Sequence, residues 1–216
     1  MVLAVALVSC ASSPDPTANT SEEPTVITSA YGDDGAQVGD LYLPPDVARP
    51  AVVVLVHGGF WRQEYERDLM GPLAEDLVAR GYAVWNIEYR RVAMDGGGWP
   101  GTLTDVAAAV DHLEVLAREQ PLDLTRIVAI GHSAGGHLAV WLAARPTLPA
   151  DAPGAAPLVT VSAAVSLAGV LDLRAAHARA SVGARCRSCS AGRPTTWPIA
   201  TQLRPRRNWS RSARPP

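Results

Sequence analysis

An apolar β-type run, Ile127 to Ile130, stops at Gly131-His132-Ser133-Ala134-Gly135, and a helix-forming segment follows at His137 to Ala144. Strand, sharp turn and helix within so few residues is the tightest local constraint in this chain. Gly131 and Gly135 lack a Cβ, so the backbone can fold closely there. Ser133 can then take a strained conformation that pushes its Oγ into the open. The pentapeptide alone is equally consistent with a small-residue turn.

A second motif narrows the choice. Ala51 to Val56 is an unbroken apolar run, as expected of a strand buried on both faces. It ends in His57-Gly58-Gly59-Phe60-Trp61. Glycines leaving a buried strand let backbone N–H groups approach a carbonyl closely. Together with the N–H of Ala134, the amides of Gly58, Gly59 and Phe60 are candidates to hold a tetrahedral oxyanion.

With both motifs in this order, the sequence resembles the α/β-hydrolase superfamily, in the esterase/lipase branch that carries an HGG oxyanion loop. HGGFW is also similar to the HGGYW-type motif of kynurenine formamidases and related small esterases. The resemblance runs from about Val26 to about Leu173 and includes Asp123 to Ile127 and Ser133 to His137. It implies an acyl-transfer nucleophile at Ser133, oxyanion donors at Gly58, Gly59, Phe60 and Ala134, and supporting roles for His57, Gly131 and Gly135. It further implies a triad in the order Ser, Asp or Glu, His, with the acid after a seventh strand and the His after an eighth. A small-molecule carboxylic ester or aryl formamide is the implied substrate, and no cofactor or metal is called for.

The pattern of the chain predicts six strands of those eight. They lie near 25–31, 37–43, 51–56, 82–87, the elbow strand ending at Ile130, and 159–167. A helix is expected over Leu69–Arg80, with Leu69, Leu73 and Leu77 on one face and Gly81 at its end. A second follows the stripe Leu103, Val106, Val110, Leu113 and Leu116 up to Pro121. Alternating strands and helices predict an α/β fold, a mostly parallel sheet with helices on both faces that lacks the last two strands.

Charge divides the chain. Residues 1–173 hold all 21 carboxylates and nine of the 19 basic residues, every one an arginine, for a net charge of −12. Residues 174–216 hold the other ten arginines and no carboxylate. Folded domains normally mix both signs. Three readings of this tail stand: a basic arm for nucleic acid or an anionic membrane, a metal or redox site at Cys186 and Cys189, and translation in a wrong reading frame. The third is favoured, because Arg, Ser, Pro, Thr, Ala and Trp are what misread GC-rich DNA yields; no nucleic-acid partner is therefore expected. The Cys pair has no second ligand pair to make a zinc site.

The N-terminus offers a different signal. Val2 to Val8 is apolar, and Leu7-Val8-Ser9-Cys10 resembles a bacterial lipobox, which would place a lipid on Cys10. Residues 1–10 are then a lipoprotein-like signal segment and 11–24 a polar tether. Domain 25–173 would be carried in the cell envelope; without processing it would be cytoplasmic. No basic residue precedes Cys10, so this reading requires a start upstream of Met1. No stretch reaches the roughly 18 apolar residues of a membrane span. The oligomeric state is not legible.

The remaining candidates divide between chemistry and packing. His112 is expected at the surface, His132 pointing away from Ser133, and His137 in packing; His177 lies in the doubtful tail. Asp172 is expected to shape a pocket rather than to be the triad acid. Trp61, Tyr89 and Trp99 could line a pocket or fill the core. Glu88, Tyr89, Arg90 and Arg91 end a strand on the side where α/β sites form, with solvated charges as the alternative. Two functional expectations follow: a serine hydrolase impaired by a missing acid and base, or an inactive, truncated, lipid-anchored protein with a basic tail.

Overall fold

The computed structural model describes residues 23–178. The signal segment, Cys10, most of the tether, and residues 179–216 with Cys186 and Cys189 lie outside the described residues.

Six strands form one sheet: β1 (Thr25–Ala30), β2 (Val38–Leu43), β3 (Ala51–Val56), β4 (Ala83–Ile87), β5 (Asp123–His132) and β6 (Ala163–Leu167). Their order is β1-β2-β4-β3-β5-β6. Strand β2 runs antiparallel to β1 and β4, and β3, β4, β5 and β6 are mutually parallel. The helices are α1 (Gly71–Ala79), α2 (Gly101–Asp111), α3 (Leu113–Leu116), α4 (Ala134–Ala144) and α5 (Leu173–Ala178).

Helices cover both faces because the central strands are apolar on both. Val53, Leu55 and Val84 point to the α1 side and pack with Met70 and Ala74. Val52, Val54, Val56, Trp85 and Ile87 point the other way, against α2, α3 and α4. The stripe Leu103, Val106, Val110, Leu113 and Leu116 is buried as its periodicity predicts, although the helix breaks at His112 between α2 and α3. Gly81 follows α1 at φ +88°, and its N–H closes on Val78 O at 2.9 Å. That left-handed residue ends the helix where expected.

Two expectations shift. Helix α1 starts at Gly71, after a 3₁₀ turn at Arg67–Met70. The buried stripe is therefore Met70, Ala74 and Val78; Leu73 and Leu77 fill its flank, and Leu69 is 53% exposed. Ala74, fully buried at the middle of that stripe, lets α1 approach the sheet. The last strand begins at Ala163 rather than Val159. Asp111 Oδ1 accepts the Leu158 and Val159 N–H groups at 3.1 Å, so these amides are satisfied by a side chain and not by a ladder.

Candidate active site

The strand order reverses at β3: the chain leaves it for β4 on one side, then returns to lay down β5 on the other. Loops at such a switch point diverge and open a crevice at the carboxyl ends of the strands. Register puts three of these ends level. Val56 pairs with Ile87 of β4 and with Gly131 of β5. The segments His57–Trp61, Glu88–Val92 and His132–Ala134 therefore leave the sheet side by side.

Ser133 occupies the turn between β5 and α4, at φ 53° and ψ −115°. This conformation is costly for a residue with a side chain, on the order of 1–3 kcal/mol. It persists because the surroundings fix it. The Ser133 N–H donates to Leu167 O of β6 at 2.8 Å. A Cβ on Gly131 would sit 2.1 Å from Gly135 O, and one on Gly135 would sit 2.0 Å from Val56 O. Both glycines are thus required by close backbone approach. Ser133 is partly exposed, and Ala134, whose N–H begins α4, is buried.

The loop after β3 lies against the elbow. A Cβ on Gly58 would stand 3.2 Å from Ser133 Cβ and 2.6 Å from His132 O. Gly59 has φ +102°, and Phe60 and Trp61 also take positive φ, at 55° and 56°. The turn closes with Arg62 N–H on Gly59 O at 2.9 Å, and Val92 N–H binds Trp61 O at 2.9 Å. Phe60 is left 41% exposed at the mouth of the crevice.

Beneath this loop, His57 and the charged end of β4 form a polar cluster whose pairings no sequence motif announced. His57 is fully buried, and its Nε2 lies 2.8 Å from Glu88 Oε1, itself 3% exposed. His57 Nδ1 contacts Gly58 O at 2.9 Å. Tyr89 stacks on the His57 ring at 4.4 Å, and its hydroxyl donates to His57 O. Burial opposes ionisation of Glu88, but the hydrogen bond and charge of His57, the Tyr89 N–H and the Arg91 guanidinium outweigh it and hold its pKa below the usual value. Glu88 and Arg91 are each 3% exposed, so the solvated-surface alternative fails for both. Arg90, partly exposed, makes a bidentate pair with Asp105 at 2.9 and 2.7 Å. The signal was an acid and two arginines at the end of a buried strand, which periodicity alone cannot assign to core or solvent.

The four histidines whose side chains are described have other settings than as a base for Ser133. His57 is committed to Gly58 and Glu88. His132 is exposed beside the loop. His137 packs edge-on against Trp61, with ring centroids 5.8 Å apart, and burial lowers its pKa to about 4. His112, expected at the surface, is half-buried against Trp85 with Nε2 2.9 Å from Ser29 Oγ; the sheet edge covers it. Asp172 Oδ1 accepts the Ala175 N–H at 2.8 Å, an N-cap for α5. Trp61 and Trp99 line a narrow apolar pocket with Leu103, Leu138 and Leu173, whereas Tyr89 belongs to the core. Wider hollows lie at the opposite end of the sheet, between Pro44–Val47 and Glu75–Gly81, away from Ser133.

A mostly parallel sheet with helices on both faces, and a strand–turn–helix at the switch point facing an HGG loop, define the α/β-hydrolase class in its esterase branch. The chain belongs to the BD-FAE family, which it matches over residues 39–203. It is 32% identical over 148 residues to Esterase LipQ of Mycobacterium tuberculosis, an alignment covering 66% of this chain and 35% of that protein. Esterase B from Lactobacillus rhamnosis shares the fold at a TM-score of 0.70 and 24% identity, over 80% of this chain and 58% of that one. A thermophilic esterase from Thermogutta terrifontis aligns at a TM-score of 0.57 and 25% identity, over 68% of this chain and 54% of that one. The chain thus spans about a third of LipQ and under three fifths of either esterase.

Proposed function

We propose that this chain carries the nucleophile half of an esterase site. Ser133 Oγ attacks the carbonyl carbon of a small carboxylic ester or an aryl formamide. The Oγ–C bond forms as Oγ gives its proton to a base, imidazole in the test below, and the carbonyl electron pair moves onto oxygen; the same base then returns the proton to the leaving group. The backbone N–H groups of Gly58, Gly59, Phe60 and Ala134 are the candidate donors to that oxyanion. Collapse expels the alkoxide or amine with a proton, and water then hydrolyses the acyl-enzyme and restores Ser133. The observation that carries this reading is the strained, partly exposed Ser133 with Gly58 so near that an added Cβ would stand 3.2 Å from Ser133 Cβ. Hydrolysis of esters is also what the names of the related esterases suggest.

The test is covalent trapping. A fluorophosphonate should label Ser133 of the 216-residue protein in buffer containing imidazole as an external base, as read by peptide mass mapping. Ser133→Ala should abolish the adduct. Labelling that survives Ser133→Ala refutes the assignment.

A second reading rests on the four described histidines, none of them placed as a base: an inactive, lipid-anchored protein. Its anchor is proposed at Cys10 on the LVSC pattern. Metabolic palmitate labelling of the native gene product, lost on Cys10→Ala, is the expected result; an unlabelled product rules the anchor out.

A further inference from the structure

Glu88 sits where three segments meet. Its Oε1 accepts the His57 Nε2 hydrogen at 2.8 Å and the Tyr89 N–H at 3.0 Å. Its Oε2 accepts the Arg67 N–H at 3.0 Å. The Arg91 guanidinium stands 3.5 Å from Oε1. A carboxylate this buried is retained only where its lone pairs are used.

Its contacts converge on one peptide bond. His57, held by Glu88 through Nε2, faces Gly58 O with Nδ1 at 2.9 Å, and the ring donates to both oxygens when it carries both protons, as an imidazolium paired with the Glu88 carboxylate. The Gly58 carbonyl and the Gly59 N–H belong to one planar trans peptide and point in opposite directions. With the carbonyl turned onto the His57 ring, the Gly59 N–H is directed away from that ring. A second arm reaches the same peptide: Arg91 Nη1 donates to Tyr65 O, and Tyr65 packs over Gly59, where a Cβ would stand 2.4 Å from Tyr65 Cβ. Glycine, which bends freely, is thereby held at φ +102°.

We infer that Glu88 is a positioning residue, which acts through His57 to hold the Gly58–Gly59 peptide with its N–H presented to a developing oxyanion. This rests on the reading of Ser133 as the nucleophile. Glu88 does not touch the reacting atoms. Its replacement by Gln leaves one accepting oxygen where there were two and puts an amide NH₂ opposite a backbone donor, so the clamp on the ring loosens.

The experiment follows the imidazole-supported fluorophosphonate reaction of Ser133 in the 216-residue protein, resolved into a saturation constant and a limiting rate, with amide hydrogen exchange over residues 57–61. Glu88→Gln should lower the limiting rate roughly tenfold to a hundredfold, as misplaced oxyanion donors do. The saturation constant should hold, and protection over 57–61 should fall. Arg145→Met, which breaks the Arg145–Asp111 pair away from the site, should lower the Tm and leave the limiting rate alone. Tyr65→Ala, at a 39% exposed position, strips the ring from the second arm while keeping its backbone bond to Arg91 and leaving the buried carboxylate untouched, and should lower the rate by a smaller factor. Equal rates in wild type, Glu88→Gln and Tyr65→Ala overturn the inference and leave Ser133 standing. Absence of a Ser133 adduct in the wild type overturns the nucleophile reading and the inference with it.

Discussion

The β3–β4 centre of the sheet and its β6 margin are built from similar apolar residues but packed in opposite ways. Leu55, Val56, Val84 and Ile87 are fully buried between helices. In β6, Val165 and Leu167 are each 42% exposed, and Ala163 is also exposed. The functional groups follow this division. The HGG loop, His57 and Glu88 rise from the packed centre, where rigid strands hold them. Ser133 sits on the seam, its N–H bonded to Leu167 of the looser margin. The order of the HGG loop thus rests on packing that the margin does not share.

The strongest challenge to this division is catalytic. The 216-residue polypeptide should hydrolyse p-nitrophenyl acetate on the order of 10⁴ to 10⁶ times more slowly than a serine hydrolase with a complete triad. A rate near the normal range that Ser133→Ala abolishes would place a base among residues 177–216.

Next in size is the seam itself. Gly135→Val puts a side chain 2.0 Å from Val56 O, a backbone atom that cannot move aside. It should destabilise by about 3 kcal/mol or more in urea unfolding. A cost below 1 kcal/mol would mean that the elbow is not clamped between β3 and α4.

The two regions can be compared directly by truncation. Leu55→Ala, at a fully buried site, should cost about 2–5 kcal/mol, and Val165→Ala, at an exposed one, within about 0.5 kcal/mol. Equal costs would show that the β6 face is covered in solution.

The smallest effect is a pH slope. His137 has its pKa lowered to about 4 by burial, from the ordinary 6.5. Between these values the unfolded chain binds a proton that the folded chain refuses, so stability is full above pH 6.5 and declines as pH falls toward 4. His137→Gln should flatten that part of the stability curve measured by urea titration. An unchanged slope would assign it to other groups.

What the sequence determined alone is the local grammar. GHSAG after Ile127–Ile130 and HGGFW after Ala51–Val56 specify turns that only glycine permits, and an unbroken apolar run specifies a strand buried on both faces. The α2–α3 stripe was legible for the same reason, because burial of one face imposes its period. The fate of the charged residues was not. Nothing near Glu88 or Arg91 in sequence says that they lie beneath a loop formed some 30 residues earlier. Only the parallel pairing of β3 with β4 brings His57 and Glu88 together. The phase of α1 was likewise decided by a 3₁₀ turn and by the close approach of Ala74 to the sheet. Short-range sterics and periodicity can be read along a chain. The partner of a buried charge is set by strand order and register, which tertiary packing selects.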